Sequence, residues 1–334
     1  MVPQLHQCVP LAGAARAPTL GRCTVVIAFQ MNTLPPGLIA APFTAFHPDT
    51  SLNLEAVPRL AALLARNRVV GAFVCGTTGE GLSMTVSERR RVAEAWKAAL
   101  PAELKLIVHV GCLNLGETCE LARHAQMIGA DAIGTMAPSF FKPAAVEDLV
   151  QWTAHVAAAA PRLPFYYYHI PSMTGVRIAA ADYLAQARLR IPNLAGIKFT
   201  DEDLADYSAA RAMAGEKHQI LFGRDELLLS GLDCGATGAV GSTYNYSAPL
   251  YLRIMQALKN GDRAEAERGQ ADAREFIDVM IRHGGLPAGK AIMKMVGVDC
   301  GPVRLPLRSL TASAEQALRA DLESKGFFAR ASAA

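Results

Sequence analysis

The sequence predicts an α/β protein, a (β/α)8 TIM barrel with a C-terminal helical appendage, from three observations. From Gly37 onward, short β-branched or apolar runs alternate with longer amphipathic stretches. That rhythm, with no long structureless linker, is the pattern of parallel strands joined by right-handed helical crossovers. The runs number eight; a doubly wound sheet fits the alternation too, but eight units in this span favour a closed barrel. Helical patterns then continue past the eighth run, beyond what a barrel needs.

Taken in order, the strand candidates are residues 37–42, 71–75, 104–110, 132–137, 163–169, 194–198, 220–222 and 236–240. Helical patterns between them occupy 54–66, 86–100, 115–128 and 146–159. The second of these is read with Ser87 as its N-cap and with Arg and Glu on its wet face. Past the barrel, helical patterns cover 251–259, 263–282, 288–297 and 312–323. The expected organisation is therefore residues 1–36 as a disordered or extraneous extension, 37–247 as the barrel, and 248–334 as its eighth helix and the appendage. Met31 reads as the functional start. The alternative for the preceding residues is a targeting segment, since Asp and Glu are absent from the first 48 residues while Arg16 and Arg22 stand among Ala, Leu and Pro. No repeat beyond the βα rhythm is seen.

Composition narrows the function classes. Apolar residues make up 51% of the 334-residue chain and charged residues 19%, which is the balance of a globular enzyme. A formal charge of +3, with no cluster of Lys and Arg interleaved with aromatics, gives no footprint for nucleic acid. No apolar run reaches the ~18 residues of a membrane span. The 7 cysteines are odd in number and lack C-x-x-C spacing, so they read as free, largely buried thiols of a reducing cytoplasm, with Cys75 and Cys234 as core filling.

Barrel enzymes build their sites at the C-terminal ends of strands, so the search for chemistry is restricted. The second strand ends in Gly76-Thr77-Thr78-Gly79-Glu80-Gly81. Its hydroxyls and backbone N–H groups suit a small carboxylate, or else it is an ordinary glycine-rich turn with capping threonines. The fifth ends in Tyr166-Tyr167-Tyr168-His169-Ile170-Pro171. Alternation puts Tyr166 and Tyr168 on one face, so Tyr168 either reaches a substrate as a proton donor and acceptor or packs at the rim. His169 should face the helices as a satisfied structural residue.

The sixth strand ends in Gly196-Ile197-Lys198-Phe199-Thr200. A lysine there either snorkels or stands against apolar walls, where the ammonium is disfavoured and the neutral amine attacks a ketone to form an imine. Tyr168 and Lys198 are 30 residues apart, one βα repeat, which places them at one barrel height on adjacent strands. The seventh strand ends in Gly223-Arg224-Asp225-Glu226, whose carboxylates either bind polyol hydroxyls or favour the next helix dipole. The eighth ends in Gly241-Ser242-Thr243-Tyr244-Asn245, a turn of small residues that lets backbone approach a ligand. Neither metal-ligand spacing nor a dinucleotide fingerprint is found.

In this order and at these separations, the motifs resemble the pyruvate-dependent superfamily of N-acetylneuraminate lyases and dihydrodipicolinate synthases, over residues 37–307. Residues 79–83, 86–90, 164–171 and 235–245 look most like the vertebrate-type N-acetylneuraminate lyases. The resemblance implies a cofactor-free retro-aldol reaction giving N-acetylmannosamine and pyruvate from sialic acid. It implies a Schiff base on Lys198 and proton handling at the sugar C4 hydroxyl by Tyr168. It implies carboxylate binding by Thr77, Thr78 and the backbone near Gly241, with Thr200, Gly223, Asp225, Glu226 and Ser242 around the polyol tail. It also implies a cytoplasmic homotetramer acting on small molecules, with neither nucleic acid nor membrane as partner.

Three positions depart from, or qualify, that resemblance. Family synthases carry an arginine two residues after the motif proline for a second carboxylate, where this chain has Met173. An unpaired carboxylate there costs on the order of 2–5 kcal/mol. The synthases also use a tyrosine lent by a neighbouring subunit after the fourth strand, where this chain has Phe140-Phe141. Arg224 either adds a cation near the substrate tail or points outward. The alternatives are therefore a dihydrodipicolinate synthase-like enzyme, another 2-keto-3-deoxy sugar acid aldolase, or a non-catalytic ligand-binding barrel.

Overall fold

The computed structural model describes residues 33–331. Eight parallel strands close on themselves in sequence order. They are β1 (Gly37–Ala40), β2 (Gly71–Val74), β3 (Lys105–His109), β4 (Ala132–Met136), β5 (Phe165–His169), β6 (Leu194–Phe199), β7 (Gln219–Phe222) and β8 (Gly238–Gly241). β1 pairs with both β2 and β8, which completes the barrel expected from the sequence. The strands are almost wholly buried, because side chains on one face fill the barrel and those on the other meet the helices.

The helices are α1 (Val57–Arg66), α2 (Val86–Ala99), α3 (Leu115–Met127), α4 (Val146–Ala159), the single turn α5 (Pro171–Thr174), α6 (Ala180–Arg190), α7 (Leu204–Ala214), α8 (Leu228–Asp233) and α9 (Tyr244–Lys259). The appendage adds α10 (Arg263–Arg282), α11 (Leu286–Met295), α12 (Ala312–Ser324) and α13 (Phe327–Arg330). Helix α1 shows the local logic. Its Leu60, Ala61, Leu63 and Leu64 form one buried stripe, and a proline sits in its first turn, where no backbone donor is lost.

The structure corrects two boundaries. Helix α2 is capped by Thr85, not Ser87. Thr85 Oγ1 accepts from Glu88 N–H while Glu88 Oε2 accepts from Thr85 N–H, a reciprocal capping box worth about 1 kcal/mol. Helix α9 begins at Tyr244 rather than near residue 251. Pro249 and the small polar residues ahead of it look like a loop in sequence, but this first half of the helix is almost entirely buried between β1, β8 and α10.

Two apolar clusters result. The larger lies between strands and helices; the smaller fills the barrel with Ile39, Phe73, Ile107, Met136, Tyr166, Tyr168, Leu221 and Val240 among others. Leu34, assigned to the extension from sequence, closes the barrel's lower end. Its N–H donates to Tyr166 Oη, Tyr166 Oη–H donates to Gln219, and Gln219 Nε2 donates back to Leu34 O. Residues 1–32 of the expected extension, Cys8 and Cys23 among them, lie outside the described residues. The described cysteines Cys75, Cys112, Cys119, Cys234 and Cys300 are free thiols.

Candidate active site

The register between β5 and β6 builds the centre of the site. Phe165 pairs with Leu194, but Tyr166 pairs with Gly196, so Ala195 is an extra residue in β6. Leu194 belongs to the outer cluster, and strict alternation from it would turn Lys198 outward as well. The extra residue flips the sequel. Ile197 and Phe199 face the helices, and Lys198 enters the barrel as the Cα partner of Tyr168.

Lys198 is 4% exposed and Tyr168 3%. The Lys198 Nζ lies 3.8 Å from the Tyr168 ring centroid and 4.3 Å from that of Phe73. The two aromatic rings meet edge to face. Among the described residues no carboxylate forms a salt bridge with Lys198, and its amine stands against aromatic walls. Tyr168 Oη in turn lies 3.4 Å from Thr77 Oγ1, linking the tyrosine to the Gly-Thr-Thr-Gly loop above β2. Thr78 is half-buried in the same loop.

On the other side of the lysine, the strand ends of β6, β7 and β8 converge. Asp225 is buried, and its Oδ2 accepts from Thr243 N–H at 2.9 Å and from Thr243 Oγ1–H at 2.6 Å. Its Oδ1 has no hydrogen-bond partner among the described residues. Burial pushes the Asp225 carboxyl up to about 6, opposed by the Thr243 hydrogen bonds. Gly241 is required here, because a Cβ on it would lie 1.8 Å from Asp225 Oδ1. Gly223 is required likewise, with Thr200 Oγ1 at 2.1 Å from any Cβ. That Thr200 hydroxyl is buried without a hydrogen-bond partner among the described residues. Ser242 sits in the turn before α9, where its carbonyl accepts from Asn245 Nδ2.

Asp225 and Glu226, read together in sequence, separate in the structure. Glu226 stays at the rim and is held by Arg224 at 2.9 Å. Arg224 also contacts Glu202, so it neither points freely outward nor stands alone as a cation. His169 faces the helices as expected and stacks on Phe199, with Nε2 at 3.7 Å from Asp201. Among the described residues its Nδ1 has no hydrogen-bond partner, so it is not the fully satisfied histidine expected. Met173 and the mutually packed Phe140 and Phe141 are exposed.

Sequence reasoning missed Phe73 and His109. His109 is buried and packs edge-on against Tyr168, with Nδ1 at 3.1 Å from Cys75 O and 3.4 Å from a guanidinium nitrogen of Arg89. Burial, reinforced by the Arg89 and Lys198 charges, holds its pKa well below that of an ordinary histidine. Both residues were legible in principle, as inward positions of β2 and β3 by alternation. Among the described residues, no group of three or more His, Cys, Asp or Glu is placed to hold a metal ion.

The sequence profile of the Dihydrodipicolinate synthetase family matches residues 34–325. The chain belongs to that family. Within the family, the N-acetylneuraminate lyase of Rattus norvegicus is 44% identical over 299 residues, covering 87% of this chain and 92% of that protein. The Homo sapiens N-acetylneuraminate lyase is 44% identical over 292 residues, covering 85% and 91%. Among solved structures, the Proteus mirabilis N-acetylneuraminate lyase superposes with a TM-score of 0.86 at 42% identity, covering 89% of this chain and 100% of that one. The more distant DHDPS of Cyanidioschyzon merolae, solved with lysine bound, gives 0.82 at 27% identity, covering 88% and 99%. Both branches of the family thus share this barrel, and the closer similarity of those named runs to the lyases.

Proposed function

We propose that the protein is an N-acetylneuraminate lyase, a class I aldolase that cleaves sialic acid reversibly to N-acetylmannosamine and pyruvate. The observation that carries this reading is the pairing of buried Lys198 with Tyr168 at one barrel height, in a chain 44% identical to lyases of that name. Lys198 Nζ attacks the keto carbon of the open-chain substrate, and loss of water leaves the iminium. Tyr168 takes the proton of the C4 hydroxyl, the C3–C4 bond breaks, and its electron pair is taken up as the enamine. Protonation at C3 and hydrolysis then release pyruvate and restore the amine. No metal or cofactor enters these steps.

Thr77 and Thr78 hold the substrate carboxylate in this reading, with the backbone near Gly241. Thr200, Gly223, Asp225, Glu226 and Ser242 take the polyol tail. The partnerless Asp225 Oδ1 and Thr200 Oγ1 support that assignment, since buried polar atoms rarely go without a partner. The synthase alternative is disfavoured by exposed Met173, which offers no cation to a second carboxylate. The protein is further proposed to be a cytoplasmic homotetramer. Free thiols support the compartment, and the exposed apolar rim of Leu82, Leu113, Phe140, Phe141 and Met173 supports subunit contact. No described helix is long and apolar enough to cross a membrane.

The test is incubation with N-acetylneuraminate and sodium borohydride followed by peptide mass spectrometry. A reduced pyruvate adduct on Lys198, with N-acetylmannosamine released in an unreduced control and neither seen for Lys198→Ala, is expected. An adduct from pyruvate but not from sialic acid would keep the Schiff base and overturn the sugar assignment.

A further inference from the structure

The loop that carries Thr77 and Thr78 ends in a buried charge that the retro-aldol chemistry does not use. Glu80 has a left-handed backbone (φ 53°), which turns its carboxylate down into the protein. There Oε1 lies 2.7 Å from Lys290 Nζ of α11, and Oε2 accepts from Arg304 N–H at 2.8 Å. The side chains are 1% and 3% exposed, so this is a fully desolvated ion pair. Lys290 Nζ also donates to Pro302 O at 2.6 Å and sits over the Phe46 ring.

The same residue is tied to the substrate side of the loop. Glu80 N–H donates to Thr77 O at 3.0 Å, and Thr44 Oγ1–H fixes the neighbouring Gly79 O at 2.6 Å. Thr77 is the residue whose hydroxyl approaches Tyr168. A continuous path therefore runs from the appendage through Glu80 and Thr77 to Tyr168 and its strand partner Lys198. An ion pair of this kind is weak evidence of stabilisation, because desolvation offsets the attraction; its better-attested use is to select one geometry.

We propose that Glu80 is a positioning residue for the carboxylate-binding hydroxyls, and that Lys290, from the helical appendage, completes the active site through it. The barrel alone then lacks a correctly set Thr77–Thr78 loop. This rests on the aldolase reading above.

The test is borohydride trapping of pyruvate on Lys198, followed by mass spectrometry over a range of pyruvate concentrations. It compares the full-length wild type with Glu80→Gln, Lys290→Met and the double variant. The double variant removes both buried charges together, which spares it the lone desolvated charge that threatens folding of the single variants. The expected result is half-maximal trapping at on the order of tenfold higher pyruvate in the double variant, with the maximal trapping rate within about threefold of wild type. A purely structural pair would lower the melting temperature and leave half-saturation of the folded protein unchanged, and that outcome overturns the proposal. Wild-type chain that is not trapped at all would overturn the aldolase reading, and this proposal with it.

Discussion

Tyr168 and Lys198 are direct Cα partners across β5 and β6, and the lysine amine lies over the tyrosine ring at 3.8 Å from its centroid. Adjacent strands at one height hold the proposed proton acceptor and the proposed nucleophile with no loop between them, so their separation is a property of the sheet. Positioning of this kind is where rigid elements contribute most to catalysis.

Tyr168→Phe should lower kcat by roughly 10²–10⁴-fold, the usual contribution of a general acid–base group. The hydroxyl's contact with Thr77, at 3.4 Å, is long, so little stability depends on it. Steady-state kinetics beside a thermal melt will separate the two. Unchanged kcat would remove Tyr168 from the proton-transfer role.

Gly241→Ala should damage both the fold and the proposed tail subsite, because the new methyl lies 1.8 Å from Asp225 Oδ1 and the carboxylate must move. Overpacking of this kind costs about 1–3 kcal/mol. The expected signature is a lower melting temperature and a raised KM for N-acetylneuraminate. Pyruvate trapping on Lys198 should weaken as well, because the backbone near Gly241 is proposed to hold the carboxylate, but by less than N-acetylneuraminate, which also loses its proposed contact with Asp225; equal losses for both ligands would place Asp225 outside the tail subsite.

Asp225 should also write a pH signature on stability. Its folded pKa of about 6 lies above the ordinary carboxyl value, so the unfolded chain releases its proton first. The native state is therefore favoured by this group below about pH 4 and loses on the order of 3 kcal/mol as pH rises through about 6. Asp225→Asn does not titrate and retains an acceptor for Thr243. Melts from about pH 4 to about pH 7 should show wild type losing ground to the variant across that window. A pH-independent difference would mean that Asp225 ionises like an exposed carboxyl.

Phe141→Asp should break subunit contact if the apolar rim is an interface. Phe140 and Phe141 are 75% and 87% exposed in the isolated chain, although their rings pack edge to face. Buried against a partner, an introduced carboxylate has no counter-charge and is strongly disfavoured. Sedimentation velocity should report a smaller species than wild type. An unchanged assembly would place subunit contacts elsewhere.

The sequence alone was enough to determine the barrel, the order of its strands, and the motifs at their C-terminal ends. Those features are written in local periodicity and in turn residues, so each can be read within a few positions. The thirty-residue interval between Tyr168 and Lys198 was legible in the same way. What only the tertiary structure decided is which way several side chains point and what they meet. Lys198 faces inward because Ala195 is an extra residue opposite β5, and strand register is fixed by the partner strand rather than by β6 itself. Asp225 and Glu226 are chemically alike in sequence, yet one is buried against Gly241 and Thr243 while the other pairs with Arg224 at the rim. Glu80 read as part of a glycine-rich turn until the appendage brought Lys290 and Arg304 against it. Burial and pairing are long-range quantities, set by residues that only the folded chain brings together.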